Sequence, residues 1–435
     1  MARVVIVGGG WAGTAAAVAA RKAGASRVIL LERTDMLLGT GLVGGIMRNN
    51  GRFTAAEELI AMGAGDLIRL TDQAARHRNI DFPGHKHATL YDVVKIEPLV
   101  RSYLRELGID VRLQSRVRQV EAEGPKLNAV ITDTGETVPG EVFVDATGTA
   151  GPQSNCSKYG NGCAMCIMRC PSFGPRISLA AQMGIDEIKG LRGGGGVGAF
   201  SGSCKLNKDS LGEELRQQLD SKGVAVVSLP PGLRKGQESL RDKACQQYAL
   251  TDYAESLVIL DTGHAKLMTP YFPVDLLRQI KGLERARYED PYSGGTGNSV
   301  RYMAVSPRDN TMKVSGAENL FCGGEKAGLY VGHTEAIVTG TLAGHNAVRL
   351  ALGRELLELP RSLAIGELVA FGRERMAAEE GLRERYTFSG SVFFSRMEKL
   401  GLYSCEPAVI YERVKKVGML GVFTVVPISN SSRIF

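Results

Sequence analysis

The stretch Val4-Val5-Ile6-Val7-Gly8-Gly9-Gly10-Trp11-Ala12-Gly13 decides the fold of this chain. Its first four residues are apolar and β-branched, which is typical of a buried parallel strand, and the alanine-rich residues 15–20 predict a helix. Between them lies a Gly-x-Gly-x-x-Gly motif at Gly8, Gly10 and Gly13. Its glycines permit a tight turn, the close approach of a pyrophosphate and close packing of helix on strand. The free N–H groups at the start of the helix would face the phosphates, so the stretch predicts a dinucleotide-binding unit.

Two further segments support this interpretation. Residues 28–31 form a second apolar run that ends at Glu32, about twenty residues after the last glycine, as expected of an acceptor for a ribose 2′-hydroxyl. A third predicted buried strand, residues 142–145, runs into the small residues 146–148 and gives a second place for backbone to lie against a dinucleotide. The glycine-rich residues 37–45 suit a segment pressed against an extended cofactor.

Length and composition set broad limits. The 435 residues suffice for two or three domains, and a hydrophobic content of 44% is ordinary for a soluble globular protein. The opening residues lack the pattern of a signal peptide, and the longest late apolar run, residues 417–428, is too short to span a bilayer. We therefore expect a cytoplasmic protein with no membrane partner. A net charge of +7 over 53 basic and 46 acidic residues is compatible with an anionic cofactor, with nucleic acid or with simple solubility.

Local patterns predict several other elements. Periodicity predicts a helix over residues 54–78 and a strand over residues 109–113 that residues 117–122 extend. Residues 359–435 are expected to be helical, and the aromatic-rich stretch 386–403 is expected to be packed core or an oligomer contact rather than a platform for base stacking.

Three histidines cluster near Pro83, at His77, His85 and His87. They would suit a metal site, but no carboxylate or cysteine accompanies them at ligand spacing. An ordinary polar loop is therefore the favoured interpretation.

The region 277–352 carries the second long signal. It includes Gly316-Ala-Glu-Asn-Leu-Phe-Cys-Gly-Gly-Glu325 and Gly340-Thr-Leu-Ala-Gly-His-Asn-Ala347. With the N-terminal motif and Asp145-Ala-Thr-Gly148, it resembles the GidA/TrmFO flavoproteins, members of the two-dinucleotide-binding-domain superfamily that modify RNA with folate-borne carbon. The resemblance covers about half of the chain. It implies that FAD binds at the first motif, and it is much less specific for the reaction.

The resemblance also implies site residues. In that family the strand before the paired glycines approaches the FAD, and the next helix points its N-terminus at the flavin. We expect FAD to contact Gly8, Gly10, Trp11, Ala12, Gly13, Glu32, Arg33, Gly41, Val117, Ala146, Thr147, Gly148, Gly324, Glu325, Gly332 and His333. The candidate catalytic residues around the flavin are Glu325, Lys326 and His333.

The middle of the chain departs from that family in its cysteines. Four of the eight cysteines lie within fifteen residues: Cys156, Cys163, Cys166 and Cys170. The last three, with the proline that follows, resemble the end of a bacterial ferredoxin motif. In a reducing compartment such crowding favours a metal over disulfides, and soft thiolates select an iron–sulfur cluster or zinc. We favour a [4Fe–4S] cluster, with zinc as the fallback; redox-active or merely buried cysteines remain open, and Cys204 is a reserve fourth ligand.

The predicted fold class is α/β. A Rossmann-like FAD-binding domain, with a parallel sheet and helices on both sides, takes residues 1–150 and 291–358. An inserted α+β domain, which would hold the substrate and the cysteine cluster, takes residues 151–290, and a helical C-terminal region takes residues 359–435.

Three functions are compatible with these features. The first is an FAD-dependent oxidoreductase whose [4Fe–4S] cluster exchanges electrons with the flavin, and whose partner is a small-molecule substrate or an electron-transfer protein. The second, which the resemblance implies, is a folate- and FAD-dependent RNA uridine methyltransferase. It is not favoured, because the TrmFO branch uses a cysteine in the N-terminal third and this chain has none before Cys156. The third is an electron-transfer flavoprotein subunit. The basic residues between 205 and 243 suit a solvated face better than an RNA surface, and a homo-oligomer is left open.

Overall fold

The computed structural model describes residues 2–149, 173–192, 196–200, 203–234, 250–269, 272–289, 300–301 and 303–424. Its strands are, in chain order, β1 (Arg3–Val7), β2 (Arg27–Leu31), β3 (Ile46–Met47), β4 (Ala75–Phe82), β5 (His85–Tyr91), β6 (Asp110–Arg112), β7 (Val117–Glu123), β8 (Lys126–Thr132), β9 (Thr137–Pro139), β10 (Val142–Asp145), β11 (Ile188–Lys189), β12 (Ala199–Phe200), β13 (Cys204–Leu206), β14 (Val224–Ser228), β15 (Ser256–Asp261), β16 (Ala265–Leu267), β17 (Val300–Arg301), β18 (Ala304–Val305) and β19 (Leu320–Cys322).

The α-helices of the same residues are α1 (Trp11–Lys22), α2 (Gly41–Gly44), α3 (Gly51–Ala61), α4 (Asp66–Gln73), α5 (Ile96–Glu106), α6 (Leu179–Gln182), α7 (Glu213–Lys222), α8 (Asp252–Glu255), α9 (Val274–Leu277), α10 (His333–Ala351), α11 (Ala364–Met376), α12 (Glu379–Leu382), α13 (Ser391–Lys399) and α14 (Pro407–Lys416). Short 3-10 turns lie at Lys208–Ser210, Pro231–Leu233 and Gly324–Lys326.

A five-stranded parallel sheet forms the centre of the molecule, in the order β19-β10-β1-β2-β6. Val4 of β1 pairs with Val28 on one side and Val142 on the other. All three side chains are buried, as expected of a parallel sheet that is covered on both faces. Strand β19 joins the sheet after an excursion of more than 170 residues from β10. The predicted α/β fold with a parallel sheet is confirmed.

Helices α1 and α10 pack against each other at very short range. A Cβ atom at Gly340 would overlap the carbonyl oxygen of Ala12, and one at Gly344 would overlap that of Ala16. Glycines four residues apart on one helix therefore face alanines four residues apart on the other, and the two backbones are in direct contact. This packing brings the N-termini of both helices to one side of the sheet, where the cleft described below opens.

The remaining strands form smaller sheets around this centre. Strands β7-β8-β9 and β3-β5-β4 form two three-stranded antiparallel sheets. Strands β13-β16-β15-β14 form a four-stranded antiparallel sheet with its own apolar cluster, which includes Leu206, Leu219, Leu257 and Ile259. A separate core in this part of the chain is compatible with an inserted domain, although the domain boundaries stay a prediction.

Two sequence-based assignments of secondary structure are wrong. The single helix predicted over residues 54–78 is two helices, α3 and α4, because the chain turns at Gly63 with φ of 86°, and strand β4 has begun by Ala75. Residues 117–122 do not extend β6. They form β7 in a different sheet, after a turn in which Gln114 has a φ of 50°.

The histidine cluster lies on a β-hairpin rather than in a loop, so that prediction is also wrong. Strands β4 and β5 pair antiparallel, with register shifts along β4. His77 Nε2 lies 3.0 Å from a carboxylate oxygen of Asp261, and His85 Nδ1 lies 2.9 Å from the amide nitrogen of Asn49. His87 interacts instead with Asn79 in its own hairpin, so the three rings have three separate partners.

The C-terminal residues, as far as Thr424, contain helices α11 to α14, as predicted. Tyr386, Phe388 and Phe393 are completely buried, which confirms the expectation of packed core for this part of the aromatic stretch. The rings of Phe388 and Phe393 meet edge to face with centroids 5.6 Å apart. Among the described residues, no helix combines the length and the apolar character needed to span a bilayer.

Candidate functional site

A long cleft opens where β1, β2 and β10 end. The space between its walls is about 1810 Å³ with the open solvent at its mouth included, and its walls include the residues that end or follow these strands, among them Val7, Leu31 and Ala146. Ligands of open α/β sheets bind in the crevice outside the carboxyl ends of the strands.

The glycine motif forms one wall of the cleft, and its members differ in what surrounds them. Gly8 has a φ of 104° and its backbone lies against Ala146, while a Cβ at Gly13 would overlap the carbonyl oxygen of Gly8. Gly10, the N-cap of α1, lines the cleft and would place a Cβ in open space with no atom within 4 Å. A diphosphate fits this position, because only the absence of a side chain keeps the space in front of the helix N-terminus clear. The buried indole N–H of Trp11 beside it has no hydrogen-bond partner among the described residues.

Glu32 is held at the end of the cleft where the adenosine of a dinucleotide would lie. Its Oε2 accepts a hydrogen bond from Gly9 N at 2.7 Å and its Oε1 accepts one from Thr34 N at 2.9 Å. A carboxylate has about four lone-pair positions, so two remain for the hydroxyl groups of a ribose. The geometry fits the role that the sequence predicts for this residue.

Three arginines line the same end of the cleft: Arg33, Arg116 and Arg176. Arg33 Nη1 donates to the carbonyl oxygen of Gly174, and a Cβ at Gly174 would lie 2.6 Å from Arg116 Nε. These contacts fix residues 174–177 along the wall of the cleft. Only Arg33 was predicted, because nothing in the local sequence shows that residues 174–177 return to this place.

Asp145 supports the turn that follows β10. It is fully buried and accepts hydrogen bonds from Thr147 N at 3.1 Å, Thr147 Oγ1 at 2.7 Å and Leu179 N at 2.8 Å. Burial raises the pKa of this carboxyl, more than the charge of Lys326 and these hydrogen bonds lower it. The bonds hold Thr147 and Gly148 at the cleft surface.

The paired glycines Gly323 and Gly324 line the middle of the cleft. Gly324 N donates to Thr339 Oγ1 on α10 at 2.8 Å, which ties this turn to the helix behind it. Glu325 also lines the cleft, and its Oε2 accepts a hydrogen bond from Thr149 Oγ1 at 3.0 Å.

His333, the first residue of α10, marks the far end of the cleft, together with Gly332. Its Nδ1 lies 3.2 Å from the hydroxyl of Tyr91, and its ring packs beside those of Trp11 and Tyr91. Lys266, from the four-stranded sheet, also reaches this end, and its ammonium donates to the carbonyl oxygens of Val43, at 2.8 Å, and of the following glycine.

The structure brings most of the predicted FAD contacts together. The following line the cleft: Gly8, Gly10, Trp11, Ala12, Glu32, Arg33, Val117, Ala146, Thr147, Gly148, Gly324, Glu325, Gly332 and His333.

Three predicted residues lie behind the cleft wall. Gly13 packs against the turn at Gly8, and a Cβ at Gly41 would overlap the indole of Trp11. Lys326 is buried and turned away from the cleft, because its ammonium forms an ion pair with Glu187. Lys326 therefore does not line the cleft as expected, and its catalytic role stays a prediction.

The predicted metal ligands Cys156, Cys163, Cys166 and Cys170 lie outside the described residues. Within the described part of the chain, no group of three or more His, Cys, Asp or Glu residues is arranged to hold a metal ion. Cys204, the reserve ligand, is buried in the core of the four-stranded sheet.

Arg52 and Lys266 are the cleft residues that sequence reasoning missed most clearly. Arg52 forms a buried ion pair with Glu335, which is 283 residues away in the chain. No local pattern distinguishes such an arginine from one on a solvent-facing helix, so no signal in a single sequence would have found it.

Comparison with known proteins identifies the family. The sequence profile of the family described as glucose inhibited division protein A matches residues 3–230 and 234–355. The chain belongs to the GidA family. The family resemblance inferred from the sequence is therefore confirmed, and this membership supports FAD as the cofactor of the cleft.

Three similar proteins illustrate the relationship. The tRNA uridine 5-carboxymethylaminomethyl modification enzyme MnmG of Pediococcus pentosaceus is 39% identical over 97 residues, 22% of this chain and 14% of that protein. The methylenetetrahydrofolate–tRNA-(uracil-5-)-methyltransferase TrmFO of Methylobacterium radiotolerans is 34% identical over 97 residues, 22% of this chain and 20% of that protein. The structure of Aquifex aeolicus GidA matches with a TM-score of 0.63 at 16% identity, covering 96% of this chain and 76% of that one. The chain thus aligns with a fifth or less of the length of these two enzymes, and with the fold of GidA along most of its own length.

Proposed function

We propose that this protein is an FAD-dependent oxidoreductase that holds FAD along the cleft, with the adenosine at Glu32 and the flavin ring at His333. The observation that carries the proposal is the position of Gly10, a side-chain-free N-cap that faces open space inside the cleft at the carboxyl ends of the parallel strands. Membership of the GidA family supports the identity of the cofactor.

The residues of this chain would divide the binding between them. Glu32 would accept hydrogen bonds from the ribose, and the N-termini of α1 and α10 would face the diphosphate and the flavin. Glu325 and His333 are the titratable groups that we propose for proton exchange beside the flavin. Bound FAD would supply two-electron redox chemistry, and a [4Fe–4S] cluster would supply single-electron transfer.

The proposed cluster ligands are Cys156, Cys163, Cys166 and Cys170. Described residues on either side of this cysteine-rich stretch lie at the cleft. Gly148 lines it and Thr149 donates to Glu325, while Arg176 and its neighbours line the adenosine end. The flank at Gly148 and Thr149, which contacts the proposed flavin-side residue Glu325, supports electron exchange with the flavin. Its partner would be a small-molecule substrate or an electron-transfer protein.

Anaerobic purification, with flavin and metal analysis, tests both parts of this proposal. The protein should carry flavin absorbance and release FAD on denaturation, and it should contain iron and acid-labile sulfide. The double variant C163S/C166S should lose the iron and keep the FAD, whereas C405S, which removes a half-buried thiol near Tyr403, should keep both. Zinc in place of iron would favour the structural-metal alternative, and a protein unable to bind flavin would contradict the proposal as a whole.

RNA modification is a second candidate, because relatives in the family are named tRNA modification enzymes. In the TrmFO-type reaction a folate-derived carbon would be reduced by FADH₂ and placed on a uridine. The test is anaerobic incubation of the protein, with its flavin first reduced by dithionite, with unmodified tRNA and methylenetetrahydrofolate, followed by mass spectrometry of the nucleosides. Appearance of 5-methyluridine would favour this function over the oxidoreductase, and an unchanged tRNA would count against it.

A further inference from the structure

The imidazole of His333 sits in a close-fitting cage at the far end of the cleft. The centroid of its ring lies 6.2 Å from that of Trp11 and 6.2 Å from that of Tyr91, and the rings of Trp11 and Tyr91 meet edge to face at 6.1 Å. On another side, a Cβ at Gly44 would overlap Cε1 of the imidazole. The orientation of the ring is therefore fixed by its neighbours.

The hydrogen bonds around Tyr91 determine where the proton of this imidazole lies. The hydroxyl of Tyr91 lies 2.7 Å from the carbonyl oxygen of Gly41 and 3.2 Å from His333 Nδ1. A carbonyl oxygen can only accept, so the single hydroxyl proton is donated to Gly41. The bond to His333 then requires that Nδ1 carries a proton and donates it to the phenol oxygen.

Burial supports this assignment of protons. Tyr91 is completely buried, and desolvation raises the pKa of its hydroxyl well above the ordinary value. The phenol therefore keeps its proton throughout the neutral range. The N-terminus of α10 disfavours positive charge on a histidine at its first position, so the tautomer is assigned for the neutral ring.

We propose that Tyr91 is a positioning residue that holds His333 as the Nδ1–H tautomer, so that Nε2 is the nitrogen which exchanges protons beside the flavin. This inference rests on the proposed function for the role of Nε2, whereas the tautomer itself is a property of the protein. The second nitrogen of a catalytic histidine commonly depends on such a partner for its tautomer and orientation.

The test is long-range ¹H–¹⁵N NMR of histidine-labelled, flavin-loaded protein. The signals of His333 are assigned by their absence in H333N. We expect the Nδ1–H pattern in the wild type. In Y91F the ratio of the Nδ1–H to the Nε2–H tautomer should fall about two- to tenfold, which is the value of one lost hydrogen bond. The matched control is Y103F, which removes a tyrosine hydroxyl that donates to Asp66, outside the residues that line the cleft, and should leave the ratio unchanged.

An Nε2–H pattern in the wild type would overturn the inference. This outcome needs no variant, so the inference can be tested even if Y91F folds poorly. An unchanged ratio in folded Y91F would overturn it as well. The flavin content of the same wild-type sample is measured separately. A protein without flavin but with the Nδ1–H pattern would contradict the proposed function and leave the role of Tyr91 in fixing the tautomer intact.

Discussion

Arg52 and Glu335 form a buried ion pair at the start of α10, with Arg52 Nε 3.2 Å from both carboxylate oxygens of Glu335. The carboxylate also accepts hydrogen bonds from Thr387 Oγ1 at 2.7 Å and Phe388 N at 2.8 Å. Arg52 in turn donates to the carbonyl oxygen of Val331 at 3.1 Å. One ion pair thus joins α3, the N-terminal turn of α10 and the C-terminal region beside the cleft.

Breaking this pair should be costly. In E335Q the guanidinium of Arg52 would remain buried without its counter-charge, and the loss of one partner of a buried pair costs roughly 3–5 kcal/mol. We expect the free energy of unfolding from urea denaturation to fall by about that amount. The control is E379Q, which breaks the exposed pair between Arg383 and Glu379 and should change stability by less than about 1 kcal/mol. Equal changes in the free energy of unfolding in E335Q and E379Q would show that the buried pair stabilises the protein no more than an exposed one.

The close approach of α1 and α10 predicts that a glycine-to-alanine substitution in α10 will destabilise the protein, although alanine has the higher helix propensity. Replacing glycine by alanine inside a helix ordinarily stabilises it by roughly 0.5–1 kcal/mol. At Gly340 the new Cβ would overlap the backbone oxygen of Ala12, which cannot move independently of α1. Overpacking of this kind costs about 1–3 kcal/mol, so G340A should be destabilising overall in thermal unfolding. It should also weaken FAD binding, because the N-terminus of α1 would shift.

The control for G340A is G232A, where a Cβ meets no atom within 4 Å. It should leave both the unfolding temperature and the FAD affinity close to those of the wild type. A G340A protein as stable as G232A would refute the direct backbone contact.

Glu58 should make stability depend on pH. It is fully buried and accepts hydrogen bonds from Ala364 N at 2.9 Å and Ile365 N at 3.0 Å, at the start of α11. Burial raises the pKa of Glu58 to about 7, because desolvation outweighs these bonds and the charge of Arg413. A folded-state pKa above the ordinary 4.5 means that its contribution is fully present below pH 4.5 and is lost as the pH rises through 7.

The measurement is urea denaturation at pH 5 and pH 7.5. Of the stability that the wild type loses between these values, about 2.4 kcal/mol should come from Glu58. E58Q cannot ionise and should lack that component, although it should be less stable at pH 5 because its amide replaces one acceptor oxygen. The exposed substitution E379Q should keep the pH dependence of the wild type. The same slope in E58Q and wild type would mean that Glu58 is ionised throughout this range.

The central sheet could be predicted from the sequence because its signals are local. The apolar runs of β1, β2 and β10 and the glycines between β1 and α1 are contained in short windows, and all of them fold as expected. The predictions failed where a turn interrupted a pattern. A turn at Gly63 divides one predicted helix into two. A turn at Gln114 sends residues 117–122 into another sheet. In both cases the spacing of apolar residues before and after the turn is the same as in an uninterrupted element, so the pattern alone does not reveal the turn.

The site was less predictable than the fold. Residues on the glycine turn and at strand ends were found because the fold itself places them at the cleft. Arg52 and Lys266 were missed, since their positions depend on Glu335 and on the carbonyl oxygens of residues 43 and 44, which are distant in the chain. Lys326 was expected around the flavin, but its ammonium pairs with Glu187 and it does not line the cleft, and a pairing partner so distant in the chain cannot be read from the sequence.

The most direct test of FAD binding in this cleft uses Gly10. Aspartate is a favoured N-cap, and at Gly10, with a φ of −69° and no atom within 4 Å of a Cβ, it should fold without strain and leave the stability of the flavin-free protein unchanged or raised by a few tenths of a kcal/mol. Its carboxylate would, however, occupy the space of the diphosphate and repel its charge. The control is G232D, the same substitution outside the cleft, at a position equally open around its Cβ.

The measurement is titration of the flavin-free proteins with FAD. G10D should bind FAD at least about 100-fold more weakly than wild type, because like charges in contact cost several kcal/mol, while G232D should bind normally. A folded G10D protein that binds FAD with the affinity of the wild type would contradict the account.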